Sequence, residues 1–274
     1  MLYYLFQYLD TMDFPGAGMF QYISFRSAIA VITSLFFSLL VGKKIIRRLQ
    51  VLQIGEEIRN LGLEGQMQKR GTPTMGGVII LLSILIPVIL FGDIKNIYVI
   101  IMIVTTIWLG FVGFIDDYIK VFKKNKEGLS GRFKILGQIS LGLFVGVTLY
   151  LSSDVVVRDR VVKHPDSAKQ EIVEGVDNTE PQNVVLTPNL KTTRTTIPFF
   201  KNNEFDYKSL IPFKGPWADY LAWGVFILMV IFVVTAVSNG ANLTDGLDGL
   251  ATGVSAIIGT TLGIFAYLSG NVIY

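Results

Sequence analysis

Six apolar runs alternate with polar segments along the chain. They cover residues 23–42, 78–91, 96–115, 135–153, 220–238 and 250–268, and only Arg26 interrupts them with a charge. A helix needs roughly 20 mostly apolar residues to cross a bilayer, and a proline such as Pro87 is tolerated in such a helix. The pattern therefore predicts an all-α polytopic membrane protein with about six transmembrane helices.

One polar segment, residues 154–219, differs from the others in length and composition. Within it, residues 155–162 and 192–200 are rich in Val and Thr, which is typical of short β-strands. We interpret this segment as an extracytoplasmic, partly β insertion with a hairpin or two. It lies within a single, incomplete integral membrane domain that covers residues 1–274.

Two smaller patterns refine this outline. Residues 1–20 are aromatic and poor in charge, which indicates a segment at the membrane interface. Gly142 and Gly146 stand four residues apart in the fourth run, and this spacing predicts a face where another helix packs closely.

The composition supports a membrane protein and excludes several kinds of site. Of the 274 residues, 51% are hydrophobic and only 16% are charged, whereas soluble domains have about 25% charged residues. The chain has no cysteine, so it forms neither disulfides nor thiolate metal sites. The single histidine, His164, cannot build a site with several histidine ligands. The net charge of +3 is small, and we expect no nucleic-acid partner.

Basic residues in the short connections predict the orientation. Seven Lys or Arg follow the first run and six follow the third, whereas one follows the second and none precedes Arg26. Since Lys and Arg accumulate on the cytoplasmic side, the N-terminus is expected outside. Three chemically unusual segments, residues 69–77, 116–134 and 239–249, then share the cytoplasmic face.

Adjacent carboxylates, Asp116 and Asp117, end the third run. Such a pair can bind a divalent cation, or one acid can accept a proton while the other tunes it. The alternative is two solvated residues at a helix end, where acids are mildly unfavourable. Lys120 follows Asp116 by four residues, so it can form a helical ion pair, contact a phosphate, or do both.

The segment 239–249 carries regularly spaced polar residues. Asn242, Asp245 and Asp248 recur every three residues and present one polar edge on a helix or tight turn. A calcium loop is excluded, because position 12 of a loop that begins at Asp245 requires an acid and is Ala256. A plain turn between two helices is the remaining alternative.

Two further segments can bind phosphate. Residues 69–77 combine a cation, hydroxyls and glycines at a helix start, where backbone N–H groups suit an anion. The order of a Walker loop is absent, and a simply capped helix is the alternative. The basic residues 123–134 can anchor the protein on the cytoplasmic side or collect anionic lipid or nucleotide phosphate.

Four strings occur in order on this face: KRGTPTMGG, GFIDDYIK, GLSGRFK and NLTDGLDGLATG. They resemble the phospho-N-acetylmuramoyl-pentapeptide transferase family, within the polyprenyl-phosphate N-acetylhexosamine-1-phosphate transferases. The resemblance implies a Mg²⁺-dependent sugar-1-phosphate transferase of the bacterial inner membrane. Its donor would be UDP-MurNAc-pentapeptide, its acceptor undecaprenyl phosphate in the lipid bilayer, its products UMP and the first lipid-linked peptidoglycan precursor, and its oligomer a homodimer.

The same resemblance implies roles for individual residues. Asp116 and Asp117 would be catalytic, with Asp116 acting as a base for direct attack by the lipid phosphate. The residues that would bind substrate are Lys69, Thr74, Lys120, Lys134, Asn242, Asp245, Gly246, Leu247 and Asp248. Asp117 and Asn242 would contribute to the metal site.

Two features depart from the family pattern. The family has ten spans, so we expect further spans and a principal Mg²⁺ ligand beyond Tyr274, and we expect the 274-residue chain alone to be inactive. The insertion 154–219 is also longer than usual. Three alternatives stay open: a related enzyme that uses UDP-GlcNAc, a membrane transporter with intramembrane acids, and a non-enzymatic assembly scaffold.

Overall fold

The computed structural model describes residues 1–52, 75–123, 125, 127–157, 160–162, 184–186, 190–197, 204–213, 215–245 and 249–273. The α-helices are α1 (Leu2–Asp10), α2 (Ile23–Val51), α3 (Gly77–Phe91), α4 (Ile97–Phe122), α5 (Gly131–Leu151), α6 (Pro216–Thr244) and α7 (Leu250–Ile273). Short 3₁₀ helices cover Ala17–Gln21 and Tyr207–Leu210. The strands are β1 (Arg160–Val162), β2 (Val184–Leu186), β3 (Arg194–Thr196) and β4 (Glu204–Asp206).

The predicted membrane architecture is confirmed. Among the described helices, α2, α4, α5, α6 and α7 are each long and apolar enough to cross a bilayer. The second predicted run, residues 78–91, forms α3, which is shorter at 15 residues and contains Pro87. Large apolar side chains such as Leu228 and Phe232 are exposed, as expected where lipid rather than water surrounds a helix. The chain is a multi-pass membrane protein.

Several helices extend past their predicted ends. We placed the ends of the first, third and fifth spans at Gly42, Ile115 and Ser238, but α2, α4 and α6 continue to Val51, Phe122 and Thr244. The apolar pattern marks where lipid contact stops, whereas i to i−4 hydrogen bonding continues into water. Asp116 and Asp117 therefore lie inside a helix and do not end one.

The chain divides into two compact units, of which the first holds Met1–Val145 and Val230–Tyr274. Close glycine contacts hold its helices together. A Cβ atom at Gly110 would lie 2.6 Å from Leu81 Cδ1, and one at Gly142 would lie 2.6 Å from the Ile231 Cα. These contacts join α4 to α3 and α5 to α6. The Leu81 side chain could shift, but the Ile231 backbone could not, which confirms close packing at Gly142.

The second unit, Gly146–Met229, contains the predicted insertion. Its described strands form two antiparallel pairs, β1 with β2 and β3 with β4, which confirms the partly β interpretation. Tyr207 is buried and its ring meets Phe226 of α6 edge to face, with centroids 5.7 Å apart. Lys191 donates to the Ser152 carbonyl oxygen (2.9 Å) and lies near the Tyr150 ring. These contacts attach the insertion to the ends of α5 and α6.

Candidate active site

Asp116 is the centre of a charged cluster formed by α4, α5 and the segment between them. Its Oδ2 lies 2.9 Å from Lys120 Nζ, one turn along α4, and its Oδ1 lies 2.9 Å from Lys134 Nζ in the first turns of α5. The Leu129 backbone N–H also donates to Oδ1 (2.7 Å). The side chain is only 13% exposed. Three donors thus stabilise the carboxylate that partial burial disfavours.

Gly128 closes the connecting segment over this carboxylate. Its φ of +69° lies in the left-handed region, which glycine adopts without the steric penalty of a side chain. A Cβ atom at this position would lie 2.5 Å from Asp116 Oδ1 and 2.7 Å from Lys120 Cε. Close approach of the Leu129 amide to Asp116 therefore depends on a missing side chain.

The pairing of Lys120 with Asp116 agrees with the predicted helical spacing. The pairing with Lys134 could not be derived from spacing, because it depends on how α5 turns back against α4. Gly128 and Leu129 belong to the string GLSGRFK, yet no role was predicted for them. The sequence signal that could have identified Gly128 is a glycine within a polar turn, because such a glycine often has a positive φ.

Asp117 follows Asp116 on α4 and is also partly buried. Successive residues of a helix point about 100° apart, so the two acids do not act as parallel carboxylates. Among the described residues, no group of three or more His, Cys, Asp or Glu side chains is close enough to hold a metal ion. The metal role predicted for Asp117 and Asn242 stays a prediction.

Asn242 and Asp245 lie at the C-terminal end of α6, and both are exposed. Asn242 is helical, and the Asp245 N–H donates to the Ala241 carbonyl oxygen (3.1 Å). This end belongs to the same unit as Asp116. Because α5 and α6 are antiparallel and Gln138 of α5 meets Ser238 of α6, the start of α5 and the end of α6 lie at one end of this unit.

The other predicted substrate residues, Lys69, Thr74, Gly246, Leu247 and Asp248, lie outside the described residues. Within the segment 69–77, the structure describes only residues 75–77. Met75 is buried and has a φ of +69°, a conformation that costs a non-glycine residue free energy. Gly76 and Gly77 follow it and are exposed, and no described atom lies within 4 Å of where their side chains would begin.

Comparisons with known proteins agree with this arrangement. The profile of glycosyl transferase family 4 matches residues 189–274, and phospho-N-acetylmuramoyl-pentapeptide-transferase signature 1 matches residues 69–81. The helices and the matches together describe a multi-pass membrane protein that is similar to glycosyl transferase family 4 over residues 189–274.

More specifically, the chain is similar over its whole length to phospho-N-acetylmuramoyl-pentapeptide-transferases, which confirms the resemblance drawn from its motifs. It is 60% identical to the curated protein of that name from Parabacteroides distasonis over 271 residues, 99% of this chain and 62% of the relative. For the Flavobacterium psychrophilum protein the identity is 57% over 275 residues, 100% of this chain and 65% of the relative. For a Porphyromonas gingivalis protein of the same name the identity is 52% over 279 residues, 99% of this chain and 62% of the relative. The chain thus spans less than two thirds of the length of these relatives.

Proposed function

We propose that the protein carrying this chain transfers phospho-MurNAc-pentapeptide from UDP-MurNAc-pentapeptide to undecaprenyl phosphate. An oxygen of the lipid phosphate would attack the phosphorus attached to the sugar. The bond between the two phosphates of the donor would break, UMP would leave, and the first lipid-linked peptidoglycan precursor would form. The observation that carries this proposal is the cluster of Asp116, Lys120 and Lys134 in a membrane protein with these relatives. The signature match at residues 69–81 favours the muramoyl donor over UDP-GlcNAc.

The two lysines have the chemistry that this reaction needs. Donor and acceptor are both anions, so charge repulsion and alignment limit their encounter, and fixed cations near the reacting phosphates supply much of the catalysis. Lys120 and Lys134 come from different helices, and Asp116 holds both ammonium groups within 2.9 Å. Asp116 neutralises one of the two ammonium charges. The remaining positive charge is available to phosphate oxygens when the adjacent Asp117 is engaged with a cation, as proposed for Mg²⁺ below.

The contacts of Asp116 suggest positioning in place of the predicted base role. Both of its oxygens already accept N–H groups, and these three donors stabilise the ionised carboxylate against taking up a proton. The second pKa of a phosphate monoester is about 6, so the acceptor is mostly deprotonated at neutral pH. We infer direct attack that needs no base. Trapping a phosphorylated Asp117 would contradict direct attack.

The residues present are compatible with Mg²⁺ but do not enclose it. Mg²⁺ usually keeps several waters and takes one or two carboxylates together with substrate phosphates, so it does not need three protein acids. Asp117, partly buried beside the lysine cluster, and Asn242, exposed at the end of α6, are the residues of this chain that would hold it. When bound, the ion would neutralise charge on the diphosphate. The polar edge of Asn242 and Asp245 would bind the nucleotide side.

We also infer the cellular arrangement of the site. The excess of Lys and Arg after α2 and α4 supports an N-terminus outside and the cluster on the cytoplasmic side. The bacterial inner membrane is carried over from the family resemblance. The nucleotide donor would then arrive from the cytoplasm, and the acceptor lipid from the bilayer. Undecaprenyl phosphate and a homodimer are carried over from the family resemblance.

Release of UMP tests the proposal. The protein, expressed from its complete gene and purified in detergent, is supplied with undecaprenyl phosphate, Mg²⁺ and either UDP-MurNAc-pentapeptide or UDP-GlcNAc. We expect UMP and a lipid-linked product with the muramoyl donor, and loss of both when EDTA removes the metal. Product from UDP-GlcNAc alone would reassign the donor, and no product from either donor would refute the transferase function.

A further inference from the structure

Gln138 is a polar side chain inside the apolar span of α5, and it is only 6% exposed. Its Nε2 donates to Ser238 Oγ (3.1 Å), and its Oε1 accepts a hydrogen bond from Asn239 Nδ2 (2.9 Å). Asn239 also donates to the Thr235 carbonyl oxygen of its own helix (2.8 Å). A buried amide is costly unless its groups are paired, and here donor and acceptor both find partners across the α5–α6 contact.

This amide pair lies one helical turn from each side of the candidate site. Gln138 follows Lys134 by four residues, so the two side chains share a face of α5. Asn239 precedes Asn242 by three residues, so they are neighbours on α6. The pair therefore connects the helix that supplies Lys134 with the helix that supplies Asn242.

The preceding residue, Gly137, connects α5 to α4. Its carbonyl oxygen accepts a hydrogen bond from Trp108 Nε1 (2.9 Å). A Cβ atom at Gly137 would lie 3.1 Å from Val112 Cγ2, so these helices are also close. Two adjacent residues of α5 thus fix its position against α4, which carries Asp116, and against α6, which carries Asn242.

We infer that Gln138 and Asn239 are positioning residues for the proposed transferase site. Their hydrogen bond sets the register of α5 against α6, and this keeps the Lys134–Asp116 pair at a fixed distance from Asn242 and Asp245. The inference rests on the proposed function, because it assigns the two polar groups to opposite sides of one reaction. Neither residue needs to touch substrate for this role.

The test measures geometry and catalysis on the same protein, expressed from its complete gene. The chain contains no cysteine, so cysteines introduced at the exposed residues Leu136 and Val237 can carry paired spin labels on α5 and α6. The variants are Gln138→Leu, Asn239→Leu and their combination. Gln138→Asn is a milder replacement in case Gln138→Leu does not fold. Ser140→Ala is the matched control, because in the described structure its exposed hydroxyl donates within α5, to the Gly137 carbonyl oxygen, and does not reach α6.

We expect Gln138→Leu and Asn239→Leu each to broaden the distribution of distances between the labels. Each should lower kcat for UMP release about threefold to tenfold, the range set by the strength of interhelical hydrogen bonds and coupled contacts. KM for the UDP-sugar should change less than twofold, because Asn242 and Asp245 keep their positions relative to each other on α6. The combined variant should be no worse than the more severe single one, because both changes remove the same link. Ser140→Ala should match the unmodified protein.

Two results would overturn the inference. In one, the variants lower thermal stability but leave kcat and the label distances unchanged, which is the behaviour of a purely structural hydrogen bond. In the other, the two single effects multiply in the combined variant. Absence of UMP release from the unmodified protein would refute the proposed function instead, and the label distances would still report whether the amide pair fixes the helices.

Discussion

At the scale of single residues, Asp116 holds two lysines from different helices next to a backbone amide. Lys120 is exposed for about two fifths of its side chain and Lys134 for a quarter, at 44% and 25%. Exposed ion pairs contribute little to stability, so we do not attribute folding to this cluster. The effect of the cluster is to fix the positions of the two ammonium groups, because both flexible lysine side chains bind the same carboxylate.

Replacing Gly128 by Ala tests how closely this placement is set. Alanine at a φ of +69° costs about 1–2 kcal/mol, and its Cβ atom would displace Asp116 Oδ1 or Lys120 Cε. We expect the rate of UMP release to fall about tenfold or more, with a lower melting temperature. Gly131→Ala is the control, because no atom lies within 4 Å of its added Cβ. Equal rates for the two variants would show that the segment tolerates a side chain over Asp116.

A second residue-scale prediction concerns the N-terminal helix. Tyr4 Oη donates to Asp93 Oδ1 (2.5 Å) and accepts from the Lys95 N–H (2.9 Å). This hydrogen bond from Tyr4 lowers the pKa of the Asp93 carboxyl below its ordinary value, against partial burial, which raises it. The bond therefore stabilises the fold above the ordinary carboxyl pKa of about 4, and this stabilisation is lost as the pH falls through the lower folded-state pKa.

We expect Tyr4→Phe to lower the melting temperature in detergent at neutral pH by a small amount, because Tyr4 and Asp93 are near the surface. The difference from the unmodified protein should shrink as the pH falls below about 4. Tyr8→Phe, on the exposed side of the same helix, should have no effect at any pH. A difference for Tyr4→Phe that stays constant with pH would assign the effect to lost packing.

At the scale of helices and strands, α5 is the element on which the site depends. It supplies Lys134 to Asp116, Gly137 to Trp108 and Gln138 to Asn239. Farther along, Gly142 lets the backbone of α6 approach. One helix therefore fixes the positions of two others through four residues spaced over about two turns.

Gly142→Ala tests this close approach. The added Cβ atom would lie 2.6 Å from the Ile231 Cα, and backbone cannot move aside as a side-chain end can. Overpacking of this kind typically costs about 1–3 kcal/mol, so we expect a clear drop in the melting temperature. Gly224→Ala on α6 is the control, since its Cβ would meet nothing within 4 Å and alanine favours the helix. A similar drop for both variants would contradict the packing argument.

The sequence predicted the helices better than their ends and their partners. Long apolar runs give the spans directly, and the i to i+4 spacing gives the Asp116–Lys120 pair. The Asp116–Lys134 and Gln138–Asn239 pairs come from helix packing, which no local pattern encodes. Gln138 was detectable as the one amide inside the fourth apolar run, since polar residues within spans usually have a role. The extension of α6 past Ser238 was missed because Asn and Gly favour loops.

At the scale of the whole molecule, the proposal requires both substrates to meet on the cytoplasmic side. Ser130 lies between α4 and α5, and Ser153 follows α5; both are exposed in a chain without cysteine. We expect a membrane-impermeant maleimide to label Ser153→Cys in spheroplasts of the producing bacterium. Ser130→Cys should react only after the membrane is permeabilised. The reverse pattern would invert the orientation and place the lysine cluster on the outer face.

The most direct test of the central claim is UMP release by an Asp116 variant. The protein from its complete gene is compared with two variants. Asp116→Asn cannot hold two ammonium groups equally well, and Asp219→Asn changes a residue that pairs with Lys208 within the second unit. With UDP-MurNAc-pentapeptide, undecaprenyl phosphate and Mg²⁺, we expect normal release from Asp219→Asn and a decrease of about 100-fold or more for Asp116→Asn, the scale of losing one preorganised electrostatic group. Equal release from all three proteins would contradict the account.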